Sequence, residues 1–303
     1  MRILHLDMGK EMRGGQHQVI MLLKGLREAG HTSMLFARRD SPLWRAAEAA
    51  GFCVGPGGLN RLWKESRAVD IVHAHDAHSH TLAAVASRRG VVVSRRVAFP
   101  VKRNLLSRWK YGRPKRFVAV SNFVAHRLEI AGVPTEKIDV VYDGVDVGGP
   151  LRRETPQPPL VVALASQEPQ KGRDLVERAS MLTNVRIVFS QDLASDLKRA
   201  SLFLYITRSE GLGSAALLAM SYGVPVIASC VGGLPEIITD SQSGLLVRND
   251  PQEIASAISK IVSDPPLAES LARGGRSKVE RNFSATRMVE STIESYKKAL
   301  RRA

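Results

Sequence analysis

The stretch SEGLGSAALLAMSYGVPVIASCVGGLPEIITDSQSGLLV, residues 209–247, consists of short apolar runs separated by glycine-rich turns. Apolar runs at 225–228 and 245–247, and a third just before the stretch at 202–206, predict strands, and residues 214–222 predict a helix. Helices placed between strands in this way require right-handed crossovers, which build a parallel sheet covered on both faces. The stretch therefore predicts an α/β domain.

The turn that opens this stretch carries residues suited to bind an anion. The preceding strand delivers Glu210 to the carboxyl edge of the sheet, and Gly211 and Gly213 permit a tight turn into the helix. We expect Ser214 to cap that helix, whose first amides then face outward. An anion site beside a carboxylate suits a sugar diphosphate, and the glycine pair at 232–233 is expected to cover the same crevice.

The same alternation of strands and helices fills the chain on both sides of a linker. The stretch 144–159 is rich in glycine, proline and charge and has no periodicity, which is typical of a linker. We therefore predict two Rossmann-like domains, 1–150 and 151–284, and a C-terminal helix, 285–303, that packs back on the first domain. The predicted strands are 2–7, 34–37, 71–73, 91–94, 117–120, 140–142, 160–165, 185–189, 202–206, 225–228 and 245–247, and the predicted helices include 17–29, 172–182, 195–200, 214–222 and 251–262.

The charge balance and the apolar runs limit the classes of protein to consider. Lys and Arg number 44 against 29 Asp and Glu, a net charge of +15, which favours an anionic partner such as a phosphorylated substrate, an acidic membrane face or nucleic acid. No apolar run approaches the roughly 18 residues of a membrane span, and the start MRILHLDMGKE lacks the features of a signal peptide, so we expect a cytoplasmic protein. Cys53 and Cys230 have neither metal-binding nor disulfide spacing and are expected to be reduced core thiols.

One segment, from Arg95 to Arg116, concentrates basic residues among aromatic and leucine side chains. This composition favours contact with an anionic membrane surface, with Leu106 and Trp109 inserted at the headgroup level; the alternative is a solvated helix with some core contacts. We therefore predict peripheral binding at the inner face of the cytoplasmic membrane. The basic residues are Arg95, Arg96, Lys102, Arg103, Arg108, Lys110, Arg113, Lys115 and Arg116.

Two further motifs lie in the first predicted domain. Gly14 and Gly15, between the first predicted strand and helix, allow backbone amides to approach a phosphate or a sugar, although a glycine pair there is more often a plain turn. Neither GxGxxG nor GxxxxGK[ST] occurs. The run HAHDAHSH, residues 73–80, offers four histidines, but alternate residues on a strand fit a tetrahedral metal site poorly, and we predict no metal.

Several motifs, in order along most of the chain, resemble those of glycosyltransferase family 4. The segment EGLG…AMSYGVPVIAS…GGLPEI…SGLLV is similar to the donor-binding half of that family, and the similarity extends to RGGQHQVIMLLKGLREAGH, DIVHAHD, FVAVSNFV, GVPTEKIDVVYDGVD and PQKGRDLVERA. The resemblance implies an α/β protein of the GT-B fold, with two Rossmann-like parallel-sheet domains that face a central cleft. It also implies a retaining enzyme that uses a nucleoside-diphosphate sugar as donor and requires no cofactor.

The resemblance assigns roles to residues of this chain. Glu210 would contact hydroxyls of the donor sugar, and Lys171 would neutralise the diphosphate. Gly15 would lie against the phosphate or the acceptor, and His75 would end a strand and face the cleft. The predicted catalytic residues are Glu210, Lys171, Arg96 and His75, and the predicted donor-binding residues are Gly14, Gly15, Ser166, Lys171, Glu210, Gly211, Leu212, Gly213, Ser214 and Leu218.

Three departures from the family pattern bear on this site. Leu218 stands where the family usually has a second carboxylate that binds the ribose, and Ala-Ser at 165–166 replaces the usual Gly-Arg pair. The role of the missing arginine is expected to pass to Arg95 or Arg96. The second domain also lacks one βα unit of about 30 residues between positions 182 and 200. These departures leave the nucleotide, and turnover itself, open.

The sequence therefore predicts a glycosyltransferase of the hexosyl or heptosyl type that acts on a membrane-associated or phosphorylated acceptor, of the lipopolysaccharide or cell-envelope kind. Catalysis would depend on electrostatic stabilisation of the leaving diphosphate without a protein nucleophile. The alternative is a GT-B-like protein that has lost turnover and binds lipid or nucleic acid through its basic surface. The chain has no helix-turn-helix, zinc or RNP pattern, so we predict no nucleic-acid partner. The sequence leaves the oligomeric state open.

Overall fold

The computed structural model shows a chain that divides into two compact units. The N-terminal unit comprises Met1–Gly144 and Ala285–Ala303, and the C-terminal unit comprises Val145–Ser284. None of the described helices is long and apolar enough to span a bilayer. Most of the predicted linker, and the basic residues Lys102 and Arg103, lie outside the described residues. The described residues are 1–101, 104–147, 156 and 158–301.

Each unit is built on a single parallel sheet with helices between its strands. The strands are β1 (Arg2–Asp7), β2 (Thr32–Ala37), β3 (Cys53–Pro56), β4 (Ile71–Ala74), β5 (Gly90–Arg95), β6 (Arg116–Ala119), β7 (Ile138–Val140), β8 (Val161–Leu164), β9 (Ile187–Ser190), β10 (Leu202–Tyr205), β11 (Val226–Ser229) and β12 (Leu245–Val247). The helices are α1 (Gly14–Glu28), α2 (Pro42–Ala49), α3 (Leu59–Glu65), α4 (Ala77–Ala86), α5 (Leu105–Gly112), α6 (Asn122–Ile130), α7 (Arg173–Ser180), α8 (Leu193–Leu197), α9 (Ser214–Ser221), α10 (Leu234–Ile237), α11 (Pro251–Ser263), α12 (Pro265–Asn282) and α13 (Ala285–Leu300).

The two sheets have the same plan but different sizes. The N-terminal sheet has seven strands in the order β3-β2-β1-β4-β5-β6-β7, and the C-terminal sheet has five in the order β12-β11-β10-β8-β9. The strand pairs in the described part of the chain are parallel, and central strands such as β4 and β10 are buried throughout, as expected for strands covered by helices on both faces. The predicted fold class, two parallel-sheet α/β domains of which the second is smaller, is confirmed.

The last helix, α13, belongs to the N-terminal unit although the C-terminal unit precedes it in the chain. Tyr296 of α13 is fully buried, and its hydroxyl oxygen lies 2.7 Å from Nδ1 of His73 in β4. The helix packs closely on α1 at Gly25, where a Cβ atom would lie 2.4 Å from Cγ2 of Val289. Because both a buried aromatic ring and a close helix contact fix α13, the helix is part of the core of this unit.

Several helices were not predicted, and α12 shows the reason. Its sequence, PPLAESLARGGRSKVERN, carries two adjacent glycines, Gly274 and Gly275, which disfavour a helix locally. These glycines are needed for packing, because a Cβ on Gly274 would lie 1.9 Å from the carbonyl oxygen of Gln242. Asp264 caps the helix and accepts a hydrogen bond from the backbone of Leu267. Tertiary packing therefore outweighs the weak local preference.

The prediction that both cysteines are core thiols is wrong. Cys53 and Cys230 are exposed. Cys53 lies in β3, an edge strand that has a neighbour on one side only, and Cys230 directly follows the end of β11. Their apolar neighbours in the sequence indicated burial, but the ends and edges of a sheet are the positions where such runs reach solvent.

Four buried histidines distinguish the N-terminal unit. Burial lowers the pKa of His5 and His80 to about 3, and burial together with neighbouring positive charge lowers the pKa of His73 and His75 well below 6.5. The rings of His73 and His75 lie 4.0 Å apart between centroids, a distance at which two charged rings would repel strongly. All four side chains are therefore neutral at pH 7.

We expect the N-terminal unit to lose about 4 kcal/mol of stability between pH 6.5 and pH 5.5. In the unfolded chain each of the four histidines goes from about half to about nine-tenths protonated over this range, whereas in the folded unit they stay neutral, so each contributes about 1 kcal/mol of the loss. Urea unfolding followed by tryptophan fluorescence measures this unit alone, because the chain's three tryptophans, Trp44, Trp63 and Trp109, all lie in it.

A pair of variants provides the control for this measurement. His80→Gln, whose amide nitrogen can take the place of Nε2 as donor to the carbonyl oxygen of Lys110, should reduce the loss by about 1 kcal/mol. His17→Gln, at an exposed position, should leave the loss unchanged. Equal stability of the parent at the two pH values would contradict the neutral state of the buried histidines.

Candidate active site

In each unit the order of the strands reverses at one place, and the predicted site residues lie there. In the C-terminal sheet the chain passes outward from β8 to β9 and then returns to place β10 on the other side of β8. Such a reversal leaves a crevice at the carboxyl ends of the two central strands, where open α/β sheets bind ligands. Lys171 follows β8 and Glu210 follows β10, so the topology brings them together.

Glu210 is the centre of a compact polar cluster. Its Oε2 accepts hydrogen bonds from Nζ of Lys171 at 2.9 Å and from the hydroxyl of Tyr205 at 2.5 Å, and its Oε1 accepts from the amide of Gly211 at 3.0 Å. Burial and the nearby carboxylate raise the pKa of the Tyr205 hydroxyl well above 10, so it remains a donor. Three donors thus fix the direction of the carboxylate.

The second glycine turn lies directly against this cluster, as the sequence predicted. A Cβ on Gly232, whose φ is +58°, would lie 1.9 Å from the carbonyl oxygen of Glu210. A Cβ on Gly233 would lie 2.2 Å from the carbonyl oxygen of Gly211, and the amide of Gly233 donates to the carbonyl of Glu210 at 3.3 Å. Only glycine fits at either position, because the two backbones are in contact.

The helix α9 begins with a glycine cap, and the predicted serine cap is wrong. Gly213 is the N-cap residue, with a left-handed φ of +112° and no capping side chain, and a Cβ there would lie 2.6 Å from Leu234. Ser214 is the first helical residue and is half-buried on the same helix face as Leu218, four residues later. The side chain of Leu212 is buried, so only its backbone can contact a ligand.

The loop after β8 holds Lys171 beside the carboxylate. Gly172 has a left-handed φ of +60°, and a Cβ there would lie 2.9 Å from the carbonyl oxygen of Ile206, so the loops after β8 and β10 approach too closely for a side chain. The hydroxyl of Thr207 donates to the carbonyl of Gln170 at 2.8 Å. A hydrogen bond therefore joins the loop that carries Lys171 to the loop that follows β10.

Arg173 is a second cation at this edge that sequence reasoning missed. Its guanidinium lies 3.4 Å from the carbonyl oxygen of Ala165, at the carboxyl end of β8, and its Nε pairs with Glu177 at 2.7 Å. Ser166, which follows Ala165 in the sequence, is half-buried.

The sequence held one signal for the role of Arg173. This arginine lies two residues after Lys171 in PQKGRDL, where it starts a helix.

The N-terminal sheet reverses between β1 and β4, and two carboxylates lie at that point. Asp7 ends β1 and accepts hydrogen bonds from the amide of Gly9 at 2.8 Å and from the side chain of Gln16 at 3.1 Å. Asp76 follows β4, caps α4 and accepts from the amide of Met8 at 2.6 Å. Burial raises the pKa of Asp7. Neither carboxylate was predicted as a site residue, because Asp7 belongs to none of the motifs and Asp76, the last residue of DIVHAHD, was given no role.

Gly14 and Gly15 are the first two residues of α1, which begins three residues earlier than predicted. The structure brings Gly15 next to Arg96, since a Cβ built on Gly15 would lie 3.8 Å from Cδ of that arginine. The amides at a helix N-terminus and a guanidinium group both attract negative charge. This end of the N-terminal sheet can therefore receive an anionic group.

Arg96 connects His75 to a carboxylate. Its Nε donates to Asp143 at 3.0 Å, and its Nη1 lies 3.4 Å from Nδ1 of His75. Because a guanidinium can only donate, Nδ1 of His75 is the acceptor, and Nε2 carries the proton that is donated to Nδ1 of His5 at 3.0 Å. The contacts select one neutral tautomer of His75 and orient its ring.

Arg95, the last residue of β5, and Arg96, which follows it, both form hydrogen bonds within the N-terminal unit. Arg95 donates to the carbonyl of Phe99 at 2.6 Å and to the hydroxyl of Tyr111 at 3.3 Å, and Arg96 pairs with Asp143. These contacts do not favour the hypothesis that Arg95 or Arg96 replaces the missing diphosphate arginine. Arg173 is a further candidate, because it lies in the same unit as Lys171, although it is itself paired with Glu177.

The histidine run does not form the four-membered cluster considered from sequence. His78 is exposed at the start of α4, whereas His73 and His75 lie with His5, their nitrogen atoms within 4.8 Å of one another. Both nitrogens of His73 are bonded to hydroxyl groups, and a cation there would lie beside the guanidinium of Arg96. The contacts therefore favour a role in packing and in orienting His75.

Comparisons with known proteins place these features in a family. The family model described as Glycosyltransferase Family 4 matches residues 12–148, and the model described as Glycosyl transferases group 1 matches residues 150–278. The alpha-maltose-1-phosphate synthase of Mycolicibacterium smegmatis is 35% identical over 109 residues, which are 34% of this chain and 28% of that protein. The D-inositol 3-phosphate glycosyltransferase of Segniliparus rotundus is 26% identical over 296 residues, which are 81% of this chain and 64% of that protein. The chain thus spans less than two thirds of the length of these curated relatives.

A solved structure supports the fold over the full chain. The Anabaena protein HepE, solved in complex with UDP, superposes with a TM-score of 0.86 at 17% identity and covers 98% of this chain and 100% of its own. At this identity the likeness concerns the fold. Two adjacent family models that cover most of the sequence and two parallel-sheet α/β units lead to one conclusion: the chain belongs to glycosyltransferase family 4 and has the GT-B fold.

Proposed function

We propose that this protein transfers a glycosyl group from a uridine-diphosphate sugar to a phosphorylated or lipid-linked acceptor of the cell envelope, with retention of the anomeric configuration. The observation that carries the proposal is the ion pair between Lys171 and Glu210 at the strand reversal of the C-terminal sheet, next to the N-terminal amides of α9. The UDP bound in the Anabaena HepE structure supports the choice of nucleotide.

The ion pair suggests how the donor is recognised. With no donor bound, Lys171 neutralises Glu210 at 2.9 Å. A diphosphate is a stronger partner for the ammonium group than one carboxylate, since it carries more negative charge. As Lys171 turns to the diphosphate, one oxygen of Glu210 becomes available to accept hydrogen bonds from the sugar hydroxyls. When the donor binds, Lys171 therefore exchanges Glu210 for the diphosphate, and the same step releases the carboxylate for the sugar.

Catalysis in this proposal is electrostatic. The bond between the anomeric carbon and the diphosphate oxygen breaks, and negative charge develops on the leaving diphosphate. The acceptor hydroxyl oxygen forms the new bond to the anomeric carbon, and its proton passes to the leaving diphosphate. Lys171, Arg173 and the first amides of α9 are the groups in the C-terminal unit that stabilise this charge. Glu210 orients the sugar and does not act as a general base, because the hydroxyl of Tyr205 and the amide of Gly211 still donate to its carboxylate after Lys171 has turned to the diphosphate.

The acceptor in this proposal is bound by the N-terminal unit. Arg96 and the amides at Gly14 and Gly15 offer an attraction for a phosphate group. His75 is neutral, since burial and the adjacent charge of Arg96 keep its pKa well below 6.5, so it does not act as an acid; its Nδ1 accepts from Arg96 and helps to orient that guanidinium. Both relatives described above, an alpha-maltose-1-phosphate synthase and a D-inositol 3-phosphate glycosyltransferase, are named for a sugar phosphate or an inositol phosphate, which supports a phosphorylated acceptor.

Peripheral membrane binding is the second part of the proposal, and α5 supports it. No side chain of α5 is buried, and Leu105 and Leu106 are 82% and 77% exposed. The helix is attached by its other face, through Lys110, whose Nζ donates to the carbonyl of Ala77 at 2.8 Å. Lys110 and Arg116, which is paired with Asp139, are thus less available to lipid than their positions in the sequence indicate. The exposed leucines provide the apolar contact.

The first prediction separates the two members of the ion pair. Glu210→Gln should reduce transfer by about 10- to 100-fold, because it removes a charge-assisted contact with the sugar, yet UDP affinity should stay equal or increase since Lys171 is left unpaired. Lys171→Ala should instead weaken UDP binding. Transfer assays and calorimetric titration with UDP measure the two effects. Parallel changes in UDP affinity in the two variants would contradict the separate roles of Glu210 and Lys171. No stabilisation of the parent by UDP would favour the alternative of a binding protein without turnover.

A second prediction concerns the leucine in place of the ribose carboxylate. The parent should bind UDP and 2′-deoxy-UDP with similar affinity, because Leu218 offers no acceptor to the 2′-hydroxyl. Leu218→Glu should bind UDP more tightly than 2′-deoxy-UDP, and Leu218→Gln is the matched uncharged control. A strong preference of the parent for UDP would mean that another group binds the ribose.

A third prediction tests the membrane contact. Leu105→Ala with Leu106→Ala should abolish sedimentation with anionic vesicles, because it removes the apolar side chains that insert at the headgroup level. Met181→Ala with Leu182→Ala removes exposed apolar side chains from the C-terminal unit and should have no effect on sedimentation. If the parent does not sediment with anionic vesicles at low salt, the membrane part of the proposal is wrong and the acceptor is soluble.

A further inference from the structure

A basic pocket lies at the amino edge of the N-terminal sheet, away from every residue considered so far as catalytic. It has a volume of about 430 Å³ and lies where α4 ends, β5 begins and the chain after α5 enters β6. We call it the amino-edge pocket. Its walls carry four cationic side chains, Arg88, Arg89, Arg113 and Lys115, around the backbone of Gly90.

In the described part of the chain, the cations of the amino-edge pocket have no acidic partner. Among the described residues, no carboxylate forms an ion pair with any of the four. Arg113 donates to the carbonyl of Ala84 at 3.2 Å and Arg89 to the carbonyl of Arg67 at 3.3 Å, which orients two of them. Arg88 lies over the ring of Trp63 at 4.9 Å. Three of the four side chains are thus held in place.

The negative C-terminal ends of nearby helices offset only part of the positive charge in the pocket. The helices α4 and α5 end at the pocket, and the carbonyl of Ala299 near the end of α13 lies 3.9 Å from the Cβ position of Gly90. A helix C-terminus carries about half a negative charge, so three ends supply roughly −1.5 against four cations. An excess of more than two positive charges in a concave site attracts an anion.

The pocket is separate from the catalytic candidates of its own unit. Strand β5 runs from Gly90, in the pocket, to Arg95, next to Arg96. Five residue steps of an extended strand span roughly 17 Å. A phosphate group at one end of β5 therefore cannot contact Arg96 or His75 at the other end.

We propose that the amino-edge pocket binds the phosphate group of a phosphate monoester, as a site distinct from the donor and acceptor sites. Arginine forks and a lysine supply charge-assisted hydrogen bonds to phosphate oxygens, and the volume leaves room for the organic part of the ligand. The monoester is either a soluble metabolite or the headgroup of an anionic lipid, since both present the same dianion.

Titration with inorganic phosphate in the presence of saturating UDP tests this site, because UDP occupies the donor site. Arg89→Gln with Lys115→Gln should weaken phosphate binding about ten-fold or more, while UDP affinity stays unchanged. The matched control, Lys24→Gln with Arg45→Gln, removes one lysine and one arginine from exposed positions of the same unit and should leave phosphate binding unchanged. The comparison between the two double variants holds even if UDP does not bind, so it does not depend on the proposed function.

Vesicle sedimentation distinguishes the two sources of the monoester. If the ligand is a lipid, the Arg89→Gln, Lys115→Gln variant should sediment less than the parent with vesicles of phosphatidylcholine and phosphatidic acid. Vesicles of phosphatidylcholine alone give the background for both proteins. Unchanged sedimentation together with weakened phosphate binding would assign the pocket to a soluble phosphate ester. Absence of phosphate binding by the parent, or an equal loss in both double variants, would overturn the proposal.

Discussion

The reversal of strand order within each parallel sheet is the constraint on which the site depends. Crossovers are right-handed, so a chain that builds outward from one central strand and then from its neighbour places its helices on opposite faces. The carboxyl ends of the two central strands are then left uncovered. In the C-terminal unit those strands carry Lys171 and Glu210, and in the N-terminal unit they carry Asp7 and His75. The polar groups gather at these places because the topology leaves space there.

Close backbone contacts then set the geometry within the C-terminal site. Gly172, Gly232 and Gly233 all lie where a Cβ atom would collide with a neighbouring carbonyl oxygen. Such contacts restrict the conformations of the loops, so the carboxylate of Glu210 and the ammonium of Lys171 are held next to each other before a ligand binds. In the N-terminal unit side chains hold the site residues in position, since Arg96 and His5 together select the tautomer of His75.

Much of the fold was predictable from sequence, and less of the site. The apolar runs around 202–206, 225–228 and 245–247 marked real strands because these strands are buried on both faces. The motifs also indicated Lys171 and Glu210, which local sequence places at strand ends. Tyr205, Arg173 and Asp143 were not found, because their roles depend on which strands are neighbours and on how far a long side chain reaches. The exposure of Cys53 likewise depends on β3 being an edge strand, which composition does not reveal.

The placement of α13 has a consequence for the order in which the protein forms during synthesis. The C-terminal unit is one continuous segment, Val145–Ser284, whereas the N-terminal unit needs residues from both sides of it. Tyr296 fills the core beside His73, so the first 144 residues cannot complete their packing until α13 has left the ribosome. Nascent domains usually fold from the N-terminus onward. Here the C-terminal unit can finish first, and the N-terminal unit completes its packing around His73 only after α13 has been translated.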